Sequence, residues 1–252
     1  MSDTKPVSEL SSAVIALTCD AGGTVLDWYT GILSAFQRIG VEEGVVVDWS
    51  ALTKTWRRLS TELVNSGIPM KGGRATLDMD GVLHQTLLAT LKDHSVAGFS
   101  EQSKAALVAA WRTIQAWPDV SVGLPRLRSR FIVAPFTILK TSLIIEASRL
   151  NGLSWDCVIS CEMIGIYKTH RVAYETAARW LDLPHNRILM VTAHNNDLVA
   201  AHENGFRTAF VKRPKEWGGE GPSRPDPDPR ADLVADDFVD LADQLGCSFS
   251  VV

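Results

Sequence analysis

Val14-Ile-Ala-Leu-Thr-Cys-Asp20-Ala-Gly-Gly-Thr24 carries a short apolar run that stops abruptly at an acidic residue. A run of that length, bounded by a glycine turn, has the signature of a buried strand. In open α/β sheets ligands collect at the carboxyl ends of strands. Asp20 is therefore a candidate reactive group. A carboxylate placed there, beside glycines with unobstructed backbone N–H groups, can attack an electrophilic carbon and form an ester. Taken alone, the same residue also fits a simple turn cap, a position where Asp is common.

Working outward, further apolar runs recur downstream. FIVAPF at 131–136 is followed by Thr137, a short run covers 157–160, and ILMV at 188–191 leads into Thr192-Ala-His-Asn-Asn-Asp197. TAFV at 208–211 and a weaker run at 233–235 complete the series. Helical patterns lie between them at 142–151, 172–181 and 198–204, with Gly152 and Gly205 at the expected C-caps. Strands alternating with helices of this length predict βαβ units and a parallel sheet.

Residues 30–117 read differently, with helical periodicity at 30–39, 49–65, 82–92 and 100–116 and a glycine-bearing interruption at 67–73. A helical block inserted after the first strand predicts a cap over a sheet. The fold class expected is α/β: a Rossmann-like parallel sheet core, residues 13–29 and 118–252, with an inserted helical cap domain, residues 30–117. Residues 1–12 are expected to be a flexible leader, and the Gly-, Pro- and Asp-rich stretch 218–229 a surface loop. No internal repeat is visible.

Composition narrows the function. The 252 residues are 46% hydrophobic with a net charge of -4, enough for a sizeable core. No basic stripe or acidic tail stands out, which argues against a nucleic-acid partner, while a small anionic substrate stays compatible with a locally positive site. No run approaches the roughly 18 apolar residues of a membrane span. The start MSDTKPVSELSS lacks the blocks of a secretory signal. Cys19, Cys157, Cys161 and Cys247 form no disulfide pattern, and the CxxxC pair at 157 and 161 reads as packed thiols. A cytoplasmic location is expected.

Four spaced elements carry a resemblance: the Asp20-Ala-Gly-Gly-Thr24 loop, the strand ending at Thr137, Tyr167-Lys168, and the Asp197 loop followed by GFRTAFVKRPKEWG. Over roughly residues 14–245 the chain resembles the type II L-2-haloacid dehalogenases of the haloacid dehalogenase superfamily. The resemblance implies a hydrolase with Asp20 as nucleophile, supported by Thr24. Lys168 keeps Asp20 ionised and offsets the charge of a carboxylate substrate. Asp197 pairs with Lys168 and helps activate water, and His194 sits where relatives place a residue that could orient that water. For substrate binding, Arg57 matches a cap arginine that receives the halide or carboxylate, with Arg58 as its competitor. Tyr174 matches a tyrosine lining the site, Thr137 offers a hydroxyl, and Trp28 an apolar wall. The implied substrate is a small anionic 2-haloacid, with no metal or other cofactor, and a homodimer is compatible with the family.

Position 22 separates the branches of the superfamily. The resembling phosphatases carry a second aspartate there, which protonates the leaving alkoxide. Gly22 cannot donate a side-chain proton, and halide leaves without one. Three departures stand against the dehalogenase pattern. Gly22 replaces its usual aromatic, Thr137-Ile138-Leu139 replaces Ser-Asn-Gly, and Lys168-Thr169-His170 replaces Lys-Pro-Asp. The alternatives are a Mg²⁺-dependent phosphatase of the same superfamily and a non-catalytic binding module on this fold.

Overall fold

A computed structural model describes residues 7–219 and 226–247. In chain order the elements are α1 (Val7–Ala13), β1 (Ala16–Cys19), α2 (Trp28–Glu42), α3 (Trp49–Asn65), β2 (Met70–Lys71), β3 (Arg74–Ala75), α4 (Met79–Asp93) and α5 (Glu101–Ala109). Then follow α6 (Val120–Arg128), β4 (Ile132–Thr137), α7 (Thr141–Leu150), β5 (Ile159–Ser160), α8 (Cys161–Ile164), α9 (Arg171–Leu181) and β6 (Ile188–Thr192). The last are α10 (Asn195–Glu203), β7 (Arg207–Val211), β8 (Leu233–Ala235) and α11 (Phe238–Gln244).

The fold is α/β. Six parallel strands run in the order β5-β4-β1-β6-β7-β8. With helices on both faces, the central strands are buried on both sides, which is why they read as unbroken apolar runs instead of alternating ones. The chain builds β1, β4 and β5 in one direction, then returns to the other side of β1 for β6, β7 and β8. That reversal beside β1 opens a crevice at the strand C-termini, where the loops after β1, β4 and β6 converge.

Helices α2 to α5 are inserted between β1 and β4, as the sequence predicted. Asp48, Asp78 and Ser100 fix where α3, α4 and α5 begin, each side chain accepting a backbone N–H of the first turn. Inside this layer Trp56 meets Phe36 and Trp111 edge to face, with centroids 5.4 and 5.9 Å apart. The departing and returning chains are tied together: Asp27 N–H donates to Gln115 at 2.9 Å and Trp117 N–H to Val25 at 3.0 Å.

Several details differ from the sequence reading. The leader expected over 1–12 contains α1 from Val7 onward, with Leu10 and Ser11 buried and the Ser11 hydroxyl donating to Leu245 O at 2.7 Å. The helix expected over 100–116 ends at Ala109 and tightens to a 3₁₀ turn at Ala110–Thr113, because the chain must turn extended to pair beside Leu26. The glycine-bearing segment holds the hairpin β2–β3, whose turn places Gly72 and Gly73 at positive φ (59° and 77°), the geometry that glycine supplies at least cost. Cys157 is exposed, so the reading of two packed thiols holds only for Cys161; all four cysteines are free. The loop expected over 218–229 lies partly outside the described residues. No helix among those described is long and apolar enough to cross a membrane.

Candidate active site

Asp20 follows β1 directly, and its N–H donates to Val191 O on the neighbouring strand at 2.9 Å. Thr24 fixes one oxygen: its hydroxyl donates to Asp20 Oδ2 at 2.9 Å and accepts Ala193 N–H at 2.9 Å. One side chain thereby locks the loop after β1 to the loop after β6. The other oxygen meets Lys168, whose Nζ lies 3.0 Å from Asp20 Oδ1 and 2.6 Å from Asp197 Oδ2. Asp197, in the first turn of α10 where the helix N-terminus favours a carboxylate, also accepts the Tyr174 hydroxyl at 2.5 Å on Oδ1. Lys168 Nζ sits 5.0 Å from the centroid of the Phe136 ring.

His194 reaches Asp20 from the opposite side, with Nδ1 3.2 Å from Asp20 Oδ2. Its Nε2 lies 3.0 Å from Glu216 Oε1, which also accepts the Trp28 indole N–H at 2.9 Å. Above them Arg57 of α3 is buried and donates from Nη2 to Gly22 O at 3.1 Å, its guanidinium 5.4 Å from the Trp28 ring and 5.7 Å from Trp111. Arg58, in contrast, is exposed and paired with Glu62 at 2.8 Å. The neighbouring arginines thus face opposite ways, and only Arg57 belongs to the site.

Charge here is set by competition. Burial pushes the Asp20 carboxyl up, but the Lys168 ammonium, the hydrogen bond and charge of His194, and the Lys168 hydrogen bond together outweigh it. The carboxyl is held well below the usual carboxylate range. Burial pulls Lys168 down, and the Asp197 and Asp20 carboxylates outweigh that in turn, raising it above an ordinary lysine. Burial lowers Arg57, with Asp20 opposing; a guanidinium keeps its charge through such a shift.

These groups open onto a cleft of about 110 Å³ walled by Asp20, Arg57, Lys168, His194 and Glu216, with Ile138 and Leu139 as apolar wall. Asp20, Thr24, Lys168, Asp197, His194 and Arg57, named from sequence, come together. Three others lie elsewhere. Thr137 is buried, and its hydroxyl accepts Leu139 N–H at 3.0 Å, shaping its own loop instead of facing the cleft. Tyr174 stands behind Asp197, fully buried, so it supports the acid and does not line the wall. Trp28 is likewise buried and backs Arg57 and Glu216.

Glu216 is the residue that sequence reasoning passed over. A Glu with a side chain only 1% exposed is rare without partners. Its signal was available in KRPKEWG, a turn just past the end of a core strand. Gly23, at φ +104°, makes room for it: a Cβ there would fall on the Glu216 carboxylate.

The donor set does not fit a divalent cation. Position 22 supplies no carboxylate, the Lys168 ammonium already bridges Asp20 and Asp197, and among the described residues no three His, Cys, Asp or Glu groups are arranged to hold a metal ion.

Known proteins agree with this architecture. A family model for HAD-hydrolase-like proteins matches residues 166–241. Among curated proteins none matches the sequence significantly. The fold is similar to the crystal structure of the defluorinating L-2-haloacid dehalogenase Rha0230, at 31% identity and a TM-score of 0.83, covering 92% of this chain and 95% of that one. It is similar to the L-2-haloacid dehalogenase PA0810 at 29% identity and TM-score 0.82, covering 93% and 100%. The L-2-haloacid dehalogenase of Xanthobacter autotrophicus shares the fold at 21% identity, TM-score 0.74, covering 92% and 98%. With a fold, a loop order and an overall likeness that agree along nearly its whole length, the chain belongs to the haloacid dehalogenase superfamily of hydrolases, in its L-2-haloacid dehalogenase family.

Proposed function

We propose that the protein hydrolyses short 2-haloalkanoic acids to 2-hydroxy acids through an ester on Asp20. The observation that carries this reading is a buried Asp20 held between the Lys168 ammonium and the Thr24 hydroxyl, with the Arg57 guanidinium across the cleft and no acid at position 22. Arg57 attracts the anion. Asp20 attacks C2 from the side opposite the halogen; the new C–O bond forms as the C–halogen bond breaks, inverting a chiral centre. Halide leaves with the bonding pair and needs no proton. Water then attacks the ester carbonyl, which releases the hydroxy acid and restores Asp20. Lys168 and Arg57, both cationic, suit a site that receives one anion and releases two.

The test is halide release from chloroacetate, fluoroacetate and racemic 2-chloropropionate, without added metal and with a chelator present. Release is expected, with only one enantiomer of chloropropionate consumed. In a single turnover in ¹⁸O water, label is expected in the Asp20 carboxylate. Label found only in the product rules out the ester route. Turnover of an aryl phosphate with Mg²⁺ and no halide release places the protein with the phosphatases instead.

Gly22 bears on the substrate range. A Cβ there would meet Arg57 Nη2 at 3.7 Å and Leu139 Cδ1 at 3.8 Å, both ordinary contacts. Alanine therefore fits, whereas a ring must project into the cleft. Gly22→Ala is expected to keep chloroacetate turnover near wild type. Gly22→Phe should lower kcat/KM for 2-chloropropionate relative to chloroacetate by about 10- to 200-fold, the range over which a pocket senses one methyl group. Equal losses on both acids would show that position 22 does not face the C2 substituent.

A further inference from the structure

Lys168 is held at two ends, and one of them depends on the helical insertion. Its ammonium is fixed by Asp20 and Asp197. A four-carbon stem is flexible, so one placement of the ammonium also needs a fixed backbone behind it. That backbone is irregular, since residues 165–170 form neither helix nor strand. Among the described residues, the long-range hydrogen bonds on 162–167 come from residues 74–77, apart from Thr141 N–H to the Glu162 carboxylate at 3.0 Å. Ala75 N–H donates to Gly165 O at 2.7 Å, Arg74 Nη2 to Glu162 O at 2.8 Å, and the Tyr167 hydroxyl to Leu77 O at 3.1 Å. Gly165, at φ +85°, lets the arginine lie close, since a Cβ there would stand 3.0 Å from Arg74 Cγ. Beside these bonds a hollow of about 200 Å³ opens between hairpin and loop. Close packing contributes little across such a gap, so the hydrogen bonds set the spacing.

Resting on the dehalogenase reading, we propose that Arg74 and Tyr167 are positioning residues for the reaction, and that through them the insertion places Lys168 against Asp20. Neither residue lines the cleft. The same segment also reaches the opposite wall. Lys140, directly after the cleft residues Ile138 and Leu139, lies 3.0 Å from Asp78 Oδ2 and 3.1 Å from Asp80 Oδ2. Residues 74–80 thus hold both loops, the one after β4 and the one that carries Lys168. Arg57 stands on α3 of the same insertion, so the spacing between the two cations of the site is set by how the insertion is docked. A small shift of the Lys168 backbone lengthens its ion pair with Asp20. Burial, which opposes the lysine there, then gains ground and raises the carboxyl.

The test compares Arg74→Ala and Tyr167→Phe, singly and together, with Arg112→Ala. Arg112 ties the insertion to α7, through Ser142 at 3.1 Å and Glu146 at 3.0 Å, without touching the Lys168 loop. The double variant is expected to lose about 10- to 100-fold in kcat for chloroacetate, the scale of a small misplacement made far from the chemistry. Its KM should stay near wild type, and the acid limb of its kcat/KM profile should move to higher pH. Arg112→Ala should leave that limb in place, and Arg74→Lys, which keeps a donor, should recover part of the loss. Acylation of lysines by acetic anhydride, read residue by residue by mass spectrometry, needs no turnover. Lys168 is expected to label faster in the double variant than in wild type or Arg112→Ala, with the exposed Lys92 as internal standard. An unmoved acid limb in an active double variant overturns the proposal, whatever the labelling shows. An equal shift in Arg112→Ala overturns it too, because it would mark a general loosening. Should the double variant fold poorly, Arg74→Ala at its exposed position decides alone. Absence of halide release by the wild type removes the dehalogenase reading, while the labelling still decides whether the insertion places Lys168: unchanged labelling overturns it.

Discussion

Lys168→Met is expected to slow halide release by about 10²- to 10³-fold, the scale for removing one preorganised charge from a site, and to move the acid limb of the activity profile to higher pH. In the wild type two opposing effects act on Asp20: burial favours the neutral acid, and Lys168, aided by His194, overcomes it. Methionine keeps much of the volume and leaves burial to win, so the nucleophile protonates at a pH where the wild type is still ionised. Stability should show the same reversal. A carboxyl whose pKa is lowered on folding stabilises the native state above its unfolded value of about 3.9, and that contribution is lost as pH falls. With its pKa raised instead, the carboxyl opposes folding at neutral pH and opposes it less as pH falls. The variant's deficit, about 3–5 kcal/mol for a broken buried pair, should therefore shrink between pH 7 and pH 5. Urea unfolding at the two pH values, with initial rates across the acid range and Asp20→Asn as the blank, checks both. An unmoved acid limb would mean that Lys168 does not hold Asp20 ionised.

Legibility in the sequence followed the kind of physics involved. The strands that position the site were readable because burial on both faces writes itself as uninterrupted apolar runs, and α3 was readable to its ends, Trp49–Asn65, because an amphipathic stripe coincides with a capping Asp48. By contrast, α6 carries Pro125 and α11 spans seven residues, so their helicity depends on packing against each other, where Gly123 lies against the Phe238 backbone. At the site, Asp20 was legible from the strand end it follows, and Lys168 and Asp197 through the resemblance that the spaced motifs carry. Glu216 was not, because nothing local distinguishes a glutamate in a turn from one aimed at a histidine twenty-two residues earlier in the chain. Thr137 and Tyr174 erred in the opposite direction. Their residue types suit a cleft wall, but a hydroxyl's partner is decided by rotamer and loop geometry, which spacing does not encode.

The other large effect is expected away from the cleft, at Arg213. It lies two residues beyond β7, with its side chain 5% exposed, and pairs in a fork with Asp119, Nη1 to Oδ1 at 2.9 Å and Nη2 to Oδ2 at 2.8 Å. Its Nε donates to Thr24 O at 2.8 Å, and its guanidinium lies between the rings of Trp117 and Phe238, 5.4 and 5.5 Å from their centroids. Asp119 Oδ2 also accepts Phe238 N–H at 2.9 Å. One ion pair therefore joins the loop after β1, the point where the chain returns from the helical insertion, and the start of α11. Arg213→Met strands a mostly buried carboxylate and should cost about 3–5 kcal/mol. Asp119→Leu should cost about as much, for the converse reason. Together they should cost far less than their sum, because a buried pair replaced by apolar groups is often nearly neutral, and the double-mutant cycle reads that coupling directly. The carbonyl that Arg213 holds belongs to Thr24, whose hydroxyl fixes Asp20, so activity per folded molecule should fall in both single variants and stay low in the double one. Single-variant costs below about 1 kcal/mol, the range of exposed pairs, would show that the three segments are held by packing alone. Recovered stability without recovered activity would separate what this arginine does for the fold from what it does for the nucleophile.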